Sequence, residues 1–369
     1  MTTTQTGEIK TGFVDQGVLP GAVALVQRGD DVQVATIGMR DLANNVPMKE
    51  DDLFWIASMT KPMAAICVAM LVEEGKMSFD DPVEKHLPEF RGQWLVSEDG
   101  KEKRVLTRPA RPITIRDLMT HTAGLGEVPS PRPDSTLAEL TMGYAREALR
   151  FPPGSKWSYS NPGINTLGRL VEVGSGKPFA EFLQQRLLDP LGMTDTTFWP
   201  TAEQAQRLAK SYGPGEGGKL KEVEVYFIKG PLSDRKRTPY PAGGLFSTAR
   251  DVAKLYRMML ADGAVDGHTY LKKETVAEMT TTQTGEIKTG FVDGMSWGLG
   301  FQVVKEPKGV TAALSSGTFG HGGAYGTQSW ADPKRGLIYV LMIQRAGLPN
   351  GDASEMRRVM QEVGAQAAE

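Results

Sequence analysis

Apolar and polar positions change period several times along the chain, and each change marks an element. "GAVALVQRGDDVQVATIG" (Gly21–Gly38) holds two strand-like runs around Arg28–Asp31, which predicts two strands joined by a turn. From Trp55, "WIASMTKPMAAICVAMLVEEG" leads into Met63–Val72, a run of ten apolar residues. This predicts a helix from Ser58 to about Glu74, closed by Gly75 just past its end. Apolar all round, that helix should be buried on every side. Residues 76 to 237 alternate short helical patterns with Pro/Gly loops, as in "TIRDLMTHTAGL", "LAELTMGYAREALR" and "GINTLGRLVEVGSG". In "GGLFSTARDVAKLYRMMLADG", Thr248 and Asp251 have capping-box spacing before an amphipathic helix. Strand patterns return in "WGLGFQVV" and in "GTQSWADPKRGLIYVLMIQ", two strands about a Pro333–Gly336 turn, and "DASEMRRVMQEVGAQAA" is helical.

Strands at both ends with helices between them predict an α/β (α+β) chain whose termini share one mainly antiparallel sheet. On this reading 16–75 and 238–369 form the sheet domain, and 76–237 is a mainly helical insertion over one edge. One segment stands apart. "MTTTQTGEIKTGFVD" occurs at Met1–Asp15 and again, letter for letter, at Met279–Asp293. Structural repeats diverge in sequence while keeping their hydrophobic pattern, so two identical copies point to a recent duplication or a cloning artefact. The second copy lies between a helix and a strand and is taken as native. The first (1–15) is read as non-native or disordered, with Met1–Gly12 expected to be poorly ordered.

Composition narrows the function. The 369 residues are 40% hydrophobic with a net charge of −2, which offers no basic footprint for nucleic acid or an anionic membrane. Ten apolar residues are too few to span a bilayer, and no charged-then-apolar leader is visible, so a soluble, cytoplasmic chain is expected. A copied start would hide a native leader. The single cysteine, Cys67, excludes internal disulfides and sits inside the apolar helix, where an inert buried thiol is expected. His86, His121, His268 and His321 show no metal-ligand spacing, so no metal or other cofactor is implied.

Several motifs fail on context. "GPGEGGKL" (Gly213–Leu220) has Walker-like glycines, but Leu220 stands where Ser or Thr must bind magnesium. "GMSWG" around Ser296 matches G-x-S-x-G but precedes a strand, and His321, the histidine that follows it, comes before Asp332. Ser233–Lys236 has S-x-x-K spacing in a charged, proline-bounded loop. Ser58–Lys61 has the same spacing at the head of the buried helix. There i and i+3 share a face, the helix N-terminus favours an alkoxide, and desolvation lowers the amine pKa. Such a pair can activate a serine without histidine; the bland alternative is a cap serine with a solvated lysine.

In this setting "SMTK", then "LMTHTAGL", "PPGSKWSYSNPG" and "GHGGAYGTQSWADPKRGLIYVLMIQ" resemble the penicillin-recognising serine hydrolases, the group of class C β-lactamases, DD-peptidases, D-aminopeptidases and family VIII carboxylesterases. The resemblance runs from about Gly17 onward, and Y-x-N and H-x-G each occur once. It implies a β-lactamase/penicillin-binding-protein-like fold with a helical lobe and the active site between the lobes. It makes Ser58 the acylated nucleophile, Lys61 its proton partner and Tyr159 a second base whose phenol works with Lys61's charge. Asn161 would orient the acyl side of the substrate. His321, Gly322 and Gly323 would form the substrate-side strand, and Ala324 with Ser58 the oxyanion hole.

Members that act on β-lactams usually carry K-T-G on that strand. A "KTG" exists here at Lys288–Gly290, but inside the duplicated segment, whereas strand, turn and strand follow His321. A mostly neutral imidazole in the lysine's place holds a carboxylate less firmly. That tilts the expectation from carboxylated β-lactams towards neutral short-chain esters, with Arg345 a candidate to restore some anion affinity. A β-lactamase or D-amino-acid amidase/peptidase is the alternative within the class. A fold that binds ligands or muropeptides without chemistry is the alternative outside it. The expected partner is a small-molecule ester or amide; natural substrate and oligomeric state are not legible.

Overall fold

The computed structural model describes residues 10–100, 103–128, 132–225, 228, 230–348 and 350–366. Eight strands make the main sheet: β1 Gly21–Arg28, β2 Asp31–Asp41, β3 Val46–Pro47, β4 Met295–Trp297, β5 Gln302–Val304, β6 Phe319–Gly322, β7 Gln328–Asp332 and β8 Leu337–Met342. Their spatial order is β4-β5-β6-β7-β8-β1-β2-β3. The expected union of the chain ends is the antiparallel β1–β8 pair, with Val23 opposite Met342 and Leu25 opposite Val340. The two strands about Pro333–Gly336 are β7 and β8, also antiparallel.

Side chains alternate across a strand, and β1 buries both faces. Val23 and Leu25 join the main core, while Ala22, Ala24 and Val26 join a second core with Met356 and Met360. These methionines belong to the C-terminal helix Glu355–Gln366, whereas helix Ala249–Leu260 packs under β8, β1 and β7. The helices that matter for the site are α1 Lys61–Glu73, α2 Ile115–Met119, α3 Leu137–Arg146 and α4 Asn161–Ser175. Every residue of α1 from Lys61 to Leu71 is buried, as its all-round apolarity required. Each fully buried Ile, Leu, Val or Met there contributes roughly 1.5–3 kcal/mol relative to exposure. Gly75 ends the helix at φ +70°.

The structure corrects the reading of several elements. The helix expected from Ser58 starts at Lys61; Ala57–Thr60 is a 3₁₀ turn before it. "WGLGFQVV" is not one strand but two, β4 and β5. Between them Gly300, at φ +83°, comes so close to α1 that a Cβ there would lie 2.2 Å from the Ala65 methyl. Thr248 does cap its helix, but the Asp251 carboxylate instead accepts from the Asp195 N–H at 2.8 Å and the Thr196 hydroxyl at 3.1 Å. Most of Met1–Gly12 lies outside the described residues. Lys10–Val14 forms one π-helical turn, and Phe13 and Val14 pack on the second core. Among the described residues no helix is long and apolar enough to cross a membrane.

Candidate active site

Ala57, buried, adopts φ +45°, a left-handed backbone conformation rare for a residue with a Cβ. It turns the chain so that Ser58 enters the cleft while Lys61, three residues on, begins α1 fully buried. Lys61 Nζ lies 2.9 Å from Ser58 Oγ, 2.9 Å from Asn161 Oδ1 and 2.5 Å from the Ala242 carbonyl oxygen. The amide and backbone carbonyls can only accept. A neutral amine, with two N–H groups and one lone pair, therefore meets both carbonyls with its hydrogens and keeps the lone pair for the Ser58 hydroxyl. Burial lowers the Lys61 pKa to about 7, partly opposed by the Glu127 carboxylate.

Tyr159 and Asn161 are set by the start of α4. Ser160 caps that helix by accepting from the Gly163 N–H at 3.2 Å, and Pro162 fits its first turn. Asn161 thus turns its amide oxygen to Lys61, and its backbone N–H donates to Glu127 at 3.2 Å. The Tyr159 ring centroid is 4.7 Å from Lys61 Nζ. Around that ring stand His121 at 4.5 Å, Phe291 at 5.0 Å, Trp297 at 6.0 Å, His321 at 6.1 Å and Trp157 at 6.2 Å between centroids.

The opposite wall is the end of β6. His321 Nδ1 is 2.7 Å from the Gly322 carbonyl oxygen, which can only accept, so the ring proton sits on Nδ1 and Nε2 is an acceptor. Nε2 is buried without a hydrogen-bond partner. Burial first, then the Lys61 charge, depress the His321 pKa to about 3, so the ring is neutral well below pH 7. An acceptor there suits a hydroxyl rather than a substrate carbonyl. Gly323 has no room for a side chain: a Cβ would fall 2.0 Å from Thr327 Oγ1 and 2.7 Å from the Ile56 carbonyl oxygen. Ser58, Tyr159, Asn161, His321, Gly322, Gly323 and Ala324 all line one cleft of about 440 Å³, with Lys61 beneath it.

The model of the beta-lactamase family matches residues 8–364. The chain belongs to the beta-lactamase family. Protein Rv1367c of Mycobacterium tuberculosis is 37% identical over 89% of this chain and 87% of its own length. Esterase EstB of Burkholderia gladioli is 30% identical over 89% and 86%. The solved structure of EstCE1, described as a hydrolase with promiscuous acyltransferase activity, superposes with a TM-score of 0.78 at 23% identity, covering 98% of this chain and 97% of that one. This last likeness shows the fold, which is the expected β-lactamase/penicillin-binding-like one. Family and esterase relatives together make the chain a serine hydrolase.

Other candidates in this beta-lactamase-family hydrolase lie elsewhere. Ser296 is buried in β4, 3.3 Å from the Thr284 hydroxyl. Ser233 and Lys236 are exposed. Lys288 of the "KTG" is 91% exposed and pairs with Asp293, off any strand. Arg345 does not line the cleft; its guanidinium donates to the Val18 and Ala346 carbonyls. Cys67 is buried and its thiol pKa is pushed up. No group of metal-ligating side chains occurs among the described residues.

Sequence reasoning missed four neighbours of the site. Phe291, from the second copy of the duplicated segment, forms part of the cleft wall, and its carbonyl accepts from Asn350 Nδ2 at 3.1 Å. Glu127 and Asp352 supply the carboxylates of the lining, which contains no lysine or arginine among the described residues. His121 was visible only as a letter within "LMTHTAGL". No spacing rule links 121, 127, 291 or 352 to residue 58, because tertiary packing alone brings them together.

Proposed function

We propose that this serine hydrolase is a carboxylesterase for uncharged short-chain esters, working through an acyl-enzyme on Ser58. The observation that carries the reading is the Lys61 amine, buried, near pKa 7, and matched by two carbonyl acceptors that leave its lone pair for Ser58. The neutral amine takes the Ser58 proton as Oγ attacks the ester carbonyl, and the backbone N–H groups of Ser58 and Ala324 hold the oxyanion. Tyr159, beside Lys61 Nζ, delivers a proton to the departing alcohol and then draws one from the water that frees Ser58.

The cleft supports the substrate class. With His321 neutral and Glu127 and Asp352 the charged groups of the described lining, a substrate carboxylate finds no permanently cationic side chain on the cleft wall. The aromatic surfaces of Tyr144, Tyr240 and Phe291 suit a small apolar group. The names of the relatives, esterase EstB and the lovastatin esterase of Penicillium rubens, point the same way. One feature favours a second reading within the class, a D-aminoacyl amidase: Glu127 stands beside Asn161, on the side assigned to the acyl group, where an ammonium would meet a carboxylate. The deciding experiment is a panel of p-nitrophenyl esters, D-amino-acid amides and a chromogenic cephalosporin, with Ser58→Ala as control. Turnover of the short esters alone, lost in Ser58→Ala, supports the carboxylesterase; faster turnover of amides or the cephalosporin overturns it.

A further inference from the structure

We infer that His121 is the positioning residue of Tyr159: it grips the backbone on both sides of the tyrosine and packs against its ring. The Ser158 N–H donates to the His121 carbonyl at 2.9 Å, and the Ser160 N–H donates to His121 Nδ1 at 3.1 Å. Between these two bonds, Tyr159 lies against the imidazole with 4.5 Å between centroids and 36° between planes. Trp297 packs edge-on against the imidazole at 4.8 Å and stands 6.0 Å from the Tyr159 ring, so the three rings touch one another.

One residue reaches both amides because of its backbone. His121 follows α2 at φ +60°, a left-handed conformation uncommon for a side chain of this size. Such outliers persist where surrounding bonds over-determine them. Here Thr120 N–H bonds Arg116 O at 3.0 Å before the turn, and Thr122 N–H bonds Asp117 O at 2.9 Å after it, locking both sides. Because Nδ1 accepts, the ring must be neutral with its proton on Nε2. Complete burial, then the charge of Lys61, keep its pKa well below the usual histidine range, so the Ser160 bond survives across the working pH. His121 does not line the cleft, so it acts through Tyr159 rather than on substrate.

This inference rests on the proposal that Tyr159 passes a proton to the leaving group. That role matters most for a poor leaving group and least for one that departs as a stable anion. The test compares an ethyl ester with a p-nitrophenyl ester of the same acid in His121→Gly, His121→Asn and Tyr159→Phe. Glycine and asparagine both tolerate the left-handed backbone. Asparagine also offers Oδ1 near the position of Nδ1.

His121→Gly is expected to lose about 100-fold in kcat/KM on the ethyl ester and at most about tenfold on the p-nitrophenyl ester; kcat/KM is the quantity compared because it reports acylation and not the deacylation that two esters of one acid share. His121→Asn is expected to stay within about tenfold of wild type on both. If Tyr159→Phe loses no more kcat/KM on the ethyl ester than on the p-nitrophenyl ester, the transfer of a proton to the leaving group fails. If Tyr159→Phe shows the selective loss and His121→Gly affects both esters equally or neither, the positioning role alone is overturned. Should thermal melts show His121→Gly unfolded, His121→Asn decides: an ethyl-ester loss as deep as that of Tyr159→Phe overturns the inference, and rates near wild type support it.

Discussion

Lys61 offers a prediction that links stability to chemistry. Its pKa falls from 10.5 to about 7 on folding, and burial is the principal cause. At pH 7 an exposed lysine is neutral in roughly one molecule in 3,000, whereas Lys61 is neutral in about half, a gain of about 1,500-fold in usable base. The same shift disfavours the folded state. A lysine whose folded pKa is depressed leaves the unfolded chain holding the extra proton between the two pKa values. Stability from this group is therefore intact above about pH 10.5, declines as pH falls towards 7, and is constant below that. The penalty is on the order of 4 kcal/mol at pH 7 and 2 kcal/mol at pH 9.

Lys61→Met keeps the bulk and removes the titration. It leaves the Asn161 and Ala242 carbonyls unpaired, a cost independent of pH, so the informative quantity is the change with pH. Denaturant melts of wild type and Lys61→Met should show their stability difference moving by about 2 kcal/mol in favour of the variant between pH 9 and pH 7. Wild-type kcat/KM on a short ester should in turn fall tenfold per pH unit below about 7. Parallel stabilities across this range, or activity that holds level to pH 5, would refute a buried lysine acting as the base.

Other predictions rest on single contacts. Ser296→Ala should leave kcat within about twofold, because its hydroxyl is buried against Thr284 away from the cleft; loss of activity would revive the G-x-S-x-G serine. Gly323→Ala should cost at least about 100-fold in kcat/KM, since the added methyl meets the Ile56 carbonyl and Thr327 at the cleft wall; near-normal rates would show that the strand end can move. Phe291→Ala should shift preference towards bulkier esters by about tenfold in relative kcat/KM, and an unchanged chain-length profile would remove Phe291 from the specificity wall.

What was legible in the sequence followed from local pattern. Ten apolar residues behind Ser58 and Lys61 predicted a helix buried all round, but whether the lysine at its head was buried or solvated was left open until the structure placed it in the core. That the two chain ends share one sheet followed from the strand patterns there; which strands pair, β1 with β8, came from the structure. The 3₁₀ turn at Ala57–Thr60 was not readable, because Ala57 takes a left-handed conformation that its residue type does not announce. The split of "WGLGFQVV" had a signal in Gly298 and Gly300, but that Gly300 presses on Ala65 is a tertiary fact. His321 was correctly read as neutral, yet its tautomer depends on the Gly322 carbonyl. His121 shows the limit best. Its bonds to Ser158 and Ser160 span 37 and 39 residues, and nothing local in "LMTHTAGL" points across that distance.

The central claim is that the Ser58 oxygen becomes covalently acylated. Wild-type protein and Ser58→Ala, each mixed briefly with a p-nitrophenyl ester and acid-quenched, would be analysed by intact mass and peptide mapping. The account predicts one acyl group on the wild type, on the peptide holding Ser58, and none on the variant. Ester turnover with the acyl group on another residue, or persisting in Ser58→Ala, would contradict it.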